Sequence, residues 1–239
     1  MVSVCFRLAQ NILRGRPAWG LACGLLLSAG IAGAGEATEY GPLFERWFSV
    51  QTNLQGWSAD LIQTRSLKVL SQPLVSTGKV WVAQGRFRWE LGNPPQTIAL
   101  RQPDQLLIIY PRLKRAEKYP LGEAPQGPMK DALALLDATL PRDRASMEAH
   151  FQLLSVRQTN ASLEMTLQPR SSSARKFIDV IKVGFHTNDF SIASTELKFS
   201  DGSALRNDFT NTLMNPPLPA DIFDANLGPD ITVTEPLSH

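Results

Sequence analysis

The sequence has two cysteines in 239 residues, Cys5 and Cys23, and both fall within the first 34. From Gly35 onward there is no thiol, which excludes a disulfide framework, a cysteine nucleophile and thiolate metal ligation from that region. Histidine is nearly as scarce. His150, His186 and the terminal His239 are the three, and none has a metal-site spacing such as H-E-x-x-H; they are expected at strand ends or on the surface. No G-x-S-x-G elbow, Walker loop or dinucleotide glycine run occurs. Asp137 with Asp143, or Glu117 with Glu123, could serve as acid and base. Each pair, however, is split by a predicted helix end or turn, so solvated charges are expected instead. Arg170 and Arg175, flanking Ser171 to Ser173, suggest a polar hairpin. The expectation is a protein that is not an enzyme and has no cofactor and no metal.

Also missing is an apolar run long enough to cross a bilayer. The longest, Trp19 to Ile31, is shorter than the roughly 20 residues a spanning helix needs. It follows Arg7, Arg14 and Arg16 and precedes Ala32-Gly33-Ala34, the order of a secretory signal with a small-residue cleavage site. Residues 1–34 are therefore expected to be a signal peptide cleaved near Ala34, and residues 35–239 the exported domain. Lipid attachment at Cys23 is the alternative, but Leu25 to Leu27 come after that cysteine and Gly20 stands where a lipobox wants leucine. The leader carries three of the 24 basic residues and none of the 22 acidic ones, leaving a formal charge of −1 beyond it. The basicity belongs to the leader, and nucleic acid is not expected as a partner. Without disulfides the domain must be held by burial alone, which about 200 residues can supply.

After Gly41-Pro42, Leu43, Phe44, Trp47, Phe48 and Leu54 recur at steps of three and four, predicting an amphipathic helix. From Gly56 the period becomes two, with Trp57, Ala59, Leu61 and Gln63 on one face. Short strands are predicted at 78–83, 86–91, 97–101, 105–110 and 115–121, separated by Pro, Gly and Asn, an antiparallel meander. A second helix is predicted from Pro128 to Thr139, with Met129, Ala132, Leu133, Leu136 and Leu140 as its stripe and Pro141 as its stop. Strands resume at 150–157, 162–168, 177–185, 192–200 and 204–211. A proline-rich stretch, NPPLPADIF, leads to a last run at 231–233. In GRFRWELGNPPQ, Phe87, Trp89 and Leu91 share one face, and Arg86, Arg88 and Glu90 the other.

In this order, five pieces resemble the LolA family of periplasmic outer-membrane lipoprotein carriers: W-S-A-D-L-I-Q (57–63), G-K-V-W-V (78–82), R-F-R-W-E (86–90), Tyr110-Pro111, and N-P-P-L-P-A-D-I-F (215–223). The resemblance implies an α+β fold, an open, strongly curved antiparallel β half-barrel covered by a helical lid (LolA/LolB-like). It implies a lipid-binding cavity lined by Leu61, Val80, Val82, Phe87, Trp89, Leu91, Ile98 and Ile108, with a lid of Leu43, Trp47, Met129, Leu133 and Leu136. It further implies a monomer in the periplasm that takes acyl chains of lipoproteins from an inner-membrane release transporter to an outer-membrane acceptor. The alternatives are a carrier or sensor of the same fold for another lipid-like cargo, working with a membrane exporter, and a periplasmic enzyme with an unrecognised site. At roughly 0.8 kcal/mol per methylene, a sixteen-carbon chain carries about 12 kcal/mol of aversion to water, which a carrier must offset with apolar surface. Two departures stand out. Family members carry a basic residue and a proline before the aromatic strand, where this chain has Ala83-Gln84-Gly85. The usual Asp-Gly turn before Tyr110 is Asp104-Gln105.

Overall fold

The structure, a computed structural model, describes residues 40–83, 85–121, 143–159 and 161–236. Helix α1 (Gly41–Asn53) starts with proline in its first turn, where a missing N–H costs nothing, and buries Phe44, Trp47 and Phe48 on one stripe. The meander follows as β1 (Gly56–Ser66), β2 (Leu74–Ala83), β3 (Arg86–Leu91), β4 (Thr97–Arg101), β5 (Gln105–Tyr110) and β6 (Arg115–Pro120). Beyond it come α2 (Arg144–His150), β7 (Phe151–Gln158), β8 (Ser162–Pro169), α3 (Ser172–Arg175), β9 (Ile178–His186), β10 (Ile192–Phe199), β11 (Ala204–Met214) and β12 (Thr232–Thr234). The helix expected at 128–139, with Met129, Leu133 and Leu136, lies outside the described residues.

The twelve strands of the described residues form one curved, unclosed sheet in the order β12-β6-β5-β4-β3-β2-β1-β11-β10-β9-β8-β7. The two meanders join where β1 pairs with β11, and β12 lies parallel to β6 while the other pairings are antiparallel. Two glycines are required by this geometry. At Gly78 a Cβ would collide with the Glu90 carbonyl oxygen, so β2 and β3 approach each other only because no side chain is there. Gly202 turns β10 into β11 with φ +84°, a left-handed conformation that other residues adopt at a cost.

The two faces of the sheet are built differently. The concave face carries the main core, from Trp57, Leu61 and Val80 across to Met165, Ile181 and Phe185, with α1 laid over it. On the convex face, β7 to β11 are crossed by alternating charges: Arg157 to Glu164 at 3.2 Å, Glu164 to Lys182 at 3.6 Å, Lys182 to Glu196 at 3.9 Å, and Glu196 to Arg206 at 3.4 Å. The convex side of β4 and β5, continuing to Ala116 of β6, is apolar. There Ile98, Leu100, Leu107, Ile109 and Ala116 pack beneath Phe223, with Leu218, Ile222 and Ile231 of the proline-rich segment beside it. That segment is thus a cover for the back of the sheet.

Several expectations are corrected here. The strand expected from His150 begins at Phe151, because Asp143 caps a short helix by accepting from the Ser146 N–H at 2.7 Å, and that helix runs to His150. Ser171 to Ser173 lie in the exposed link of the antiparallel β8–β9 hairpin, which takes a helical turn: Ser171 caps α3, and Arg175 donates to the carbonyls of Pro169 and Arg170. Arg86 and Arg88 do lie on the outer face, but they hold the cover. The Arg86 guanidinium sits 4.7 Å from the centre of the Phe223 ring, and Arg88 donates to Glu90 at 2.6 Å and to the carbonyls of Ile222 and Asp224.

Candidate functional site

The concave face beneath α1 has the extent and chemistry of a binding interior. Backbone register shows how it is assembled: Ala59, Val80, Trp89, Ala99, Ile108 and Glu117 stand directly opposite one another from β1 to β6, so their side chains share one face. The neighbouring row is Trp57, Val82, Phe87, Arg101, Leu106 and Tyr119. Two aromatic groups organise the space above. Trp47 of α1 lies flat on Phe185 of β9, with centroids 4.9 Å apart and planes at 13°, and Phe44 meets the same ring edge-on. Across the sheet, Trp57 and Trp89 both meet the Phe209 ring edge-on, at 5.6 and 5.8 Å.

Leu61, Val80, Trp89 and Ile108 lie buried on this face, as do Trp47 and its neighbours on α1. Val82, Phe87, Leu91 and Leu43 are half-buried and pack against the same cluster. Ile98 is the exception. It stands opposite Glu90 and Ile109, which places it on the convex face under the proline-rich cover, and its expected position on the cavity face is corrected. Ala99 takes the concave position instead. Phe185 and Phe209, absent from the expected set, are central to the site; the alternation of Val183 with Phe185 and of Leu205 with Phe209 was the available signal.

Polar groups interrupt the apolar face at several points, Arg101 between Phe87 and Leu106 among them. Gln63, Asn207 and Thr195 form a buried ladder across β1, β11 and β10. The Gln63 amide donates to Asn207 at 2.9 Å, and the Asn207 amide donates to the Thr195 hydroxyl at 3.1 Å. At the other end, Glu117 is buried, accepts from the Tyr119 hydroxyl at 2.8 Å and is paired with Arg115. The expectation that Glu117 is a solvated charge is therefore corrected. Burial, and then the hydrogen bond to Glu117, push the Tyr119 hydroxyl far above the usual phenol range, so it stays protonated. Among the described residues no three His, Cys, Asp or Glu side chains are grouped as metal ligands would be.

A shallow groove of about 10 Å³, partly open to solvent, lies between Gln51 of α1, its capping residue Leu54, Trp57, Ser191, Ile192, Thr212 and Met214. Specific small-molecule pockets span roughly 300–1,000 Å³. This groove is a rim to the interior rather than the interior itself.

An unclosed antiparallel sheet with an apolar concave face and an aromatic helix across it offers one extended hydrophobic interior. The sequence profile of the outer membrane lipoprotein carrier protein LolA matches residues 52–226, most of the chain, and the protein belongs to that family. Among solved structures it is similar to an uncharacterized conserved protein from Thermus thermophilus, at 10% identity, TM-score 0.48, over 83% of this chain and 98% of that one. It is also similar to a putative outer membrane lipoprotein-sorting protein domain from Vibrio parahaemolyticus, at 11% identity, TM-score 0.40, over 81% and 97%. A LolA superfamily protein from Nitrosomonas europaea aligns at 10% identity, TM-score 0.38, over 77% and 96%. No curated protein matches the sequence.

Proposed function

We propose that this protein is a periplasmic carrier, exported by cleavage near Ala34, that shields the acyl chains of lipoproteins against its concave face and shuttles them from inner to outer membrane. One observation carries the reading: the concave face is apolar across the sheet, and the helix that crosses it contributes Phe44, Trp47 and Phe48 to that same interior. A carrier needs an apolar surface hidden when empty and available when loaded, and a helix resting on aromatic contacts can provide both. An inner-membrane release transporter would load the protein and an outer-membrane acceptor would unload it; the carrier needs no catalytic residues and no cofactor.

A second reading keeps the fold and changes the cargo. Ala83-Gln84-Gly85 and Asp104-Gln105 stand where the family has its basic-Pro pair and its Asp-Gly turn, which favours a different lipid-like cargo handed to a membrane exporter. Native mass spectrometry of the gently purified exported protein separates these readings. A retained triacylated lipopeptide supports the first and another lipid conjugate the second. A protein that retains no lipid and takes up no fluorescent acyl probe overturns both.

A further inference from the structure

Two indole donors in the interior have no acceptor among the described residues. The N–H groups of Trp47, on the helix, and Trp89, on the sheet, are both buried from water and unpartnered. The two side chains are 1% and 7% exposed. Buried donors in folded proteins are overwhelmingly paired, and a lone one is a standing cost. Tryptophan also has cheap replacements at such sites, since phenylalanine fills much of the same space without the N–H. The neighbours explain why no acceptor is at hand. Trp89 stands between Val80 and Ala99 in its row and meets the edge of Phe209, while Trp47 lies between Phe48 and Phe185. Uncharged polar side chains elsewhere in the interior, by contrast, are hydrogen-bonded in the Gln63–Asn207–Thr195 ladder and in the Tyr119–Glu117 pair.

We infer that the Trp47 and Trp89 indole N–H groups are the polar contacts for cargo and donate to neutral acyl carbonyls, so that the site selects ester- or amide-linked chains over free fatty acids and plain alkyl chains. The inference rests on the carrier reading and makes its ligand chemistry specific. A neutral carbonyl suits these donors because it brings an acceptor into an apolar space at a small desolvation cost. A carboxylate or phosphate would need a cation beside it. Of the charged groups on this face, Glu117 is itself negative and engages Arg115, and Arg101, between Phe87 and Leu106 in the neighbouring row, is already engaged in an interaction of its own.

The test compares monoacylglycerol with the 1-alkyl glycerol ether of equal chain length, and with the free fatty acid, by displacement of a fluorescent acyl probe from the exported protein. The ester should bind about 3- to 10-fold tighter than the ether, the range one net hydrogen bond supplies. Trp89→Phe and Trp47→Phe should lower ester affinity more than ether affinity, so that the ester-to-ether ratio falls toward one. The carbonyl stretch of bound ¹³C-labelled ester should move to lower frequency than in hexadecane, a readout that needs no variant. Equal ester and ether affinities, an ester preference that survives in the double variant, or a carbonyl stretch like that in hexadecane would overturn the assignment while leaving the carrier intact. Binding of none of the three lipids would instead overturn the carrier reading on which it rests.

Discussion

Trp47 on α1 and Phe185 on β9 are stacked face to face, 4.9 Å between centroids and 13° between planes. This contact ties the helix to the half of the sheet formed after the second meander begins, far in sequence from α1. Opening the interior from the α1 side therefore means separating these two rings. Trp47→Ala should cost about 3–5 kcal/mol if the helix unfolds together with the sheet. The expectation is otherwise: hydrogen exchange should show α1 amides losing protection while those of β9 and β10 keep theirs, because the sheet retains its own ladder.

Trp89→Ala separates a binding surface from ordinary core. The residue meets Phe209 edge-on and packs in the concave cluster. If that cluster rearranges to admit cargo, truncation should cost less than the roughly 3–5 kcal/mol of a tightly packed aromatic, and acyl-probe affinity should fall. Chemical denaturation beside probe titration decides it; full stability loss with unchanged affinity would make this face plain core.

The proline-rich cover gives a prediction with the opposite signature. Arg86 sits over Phe223, and Arg88 and Gln102 reach the backbone at 222–224. Replacing both arginines by alanine should reduce stability by about 1–3 kcal/mol and expose residues 215–231 to limited proteolysis. Probe binding should not change, since the cover lies on the convex face.

Gly78→Ala should destabilise the fold by about 1–3 kcal/mol or more, because its Cβ would collide with the Glu90 carbonyl oxygen, a backbone atom that cannot swing away. Urea denaturation with an unchanged slope would show a loss of stability without a change in the denatured state.

Tyr119 sets an alkaline limit. Its hydroxyl is held protonated in the folded protein by burial and by Glu117, whereas in the unfolded chain it titrates near 10. Its contribution is therefore complete below about pH 10 and is lost as pH rises above it, by up to about 1.4 kcal/mol per pH unit. Denaturation curves between about pH 9 and 11 should fall less steeply for Tyr119→Phe, which loses the hydrogen bond to Glu117 at all pH values but no longer titrates.

The sequence by itself determined α1 and most of the strands, because their apolar residues recur at one period against a polar background. Phe44, Trp47 and Phe48 could only form a helical stripe, and Phe87, Trp89 and Leu91, alternating with Arg86, Arg88 and Glu90, could only face inward together. That contrast vanishes in β4 and β5, where Thr97–Arg101 and Gln105–Tyr110 are apolar on both faces. Two buried faces leave no phase to read. The pairing of Glu90 with Ile98 across the turn decided that Ile98 points outward and Ala99 inward. Why both faces are buried was equally invisible, since the covering residue Phe223 lies more than a hundred positions away. Burial of Glu117 likewise depends on Arg115 and Tyr119 sharing its strand and on the fold closing over them. Periodicity is a local property of the chain, whereas the identity of whatever covers a face is settled by long-range packing, and only the tertiary structure supplies it.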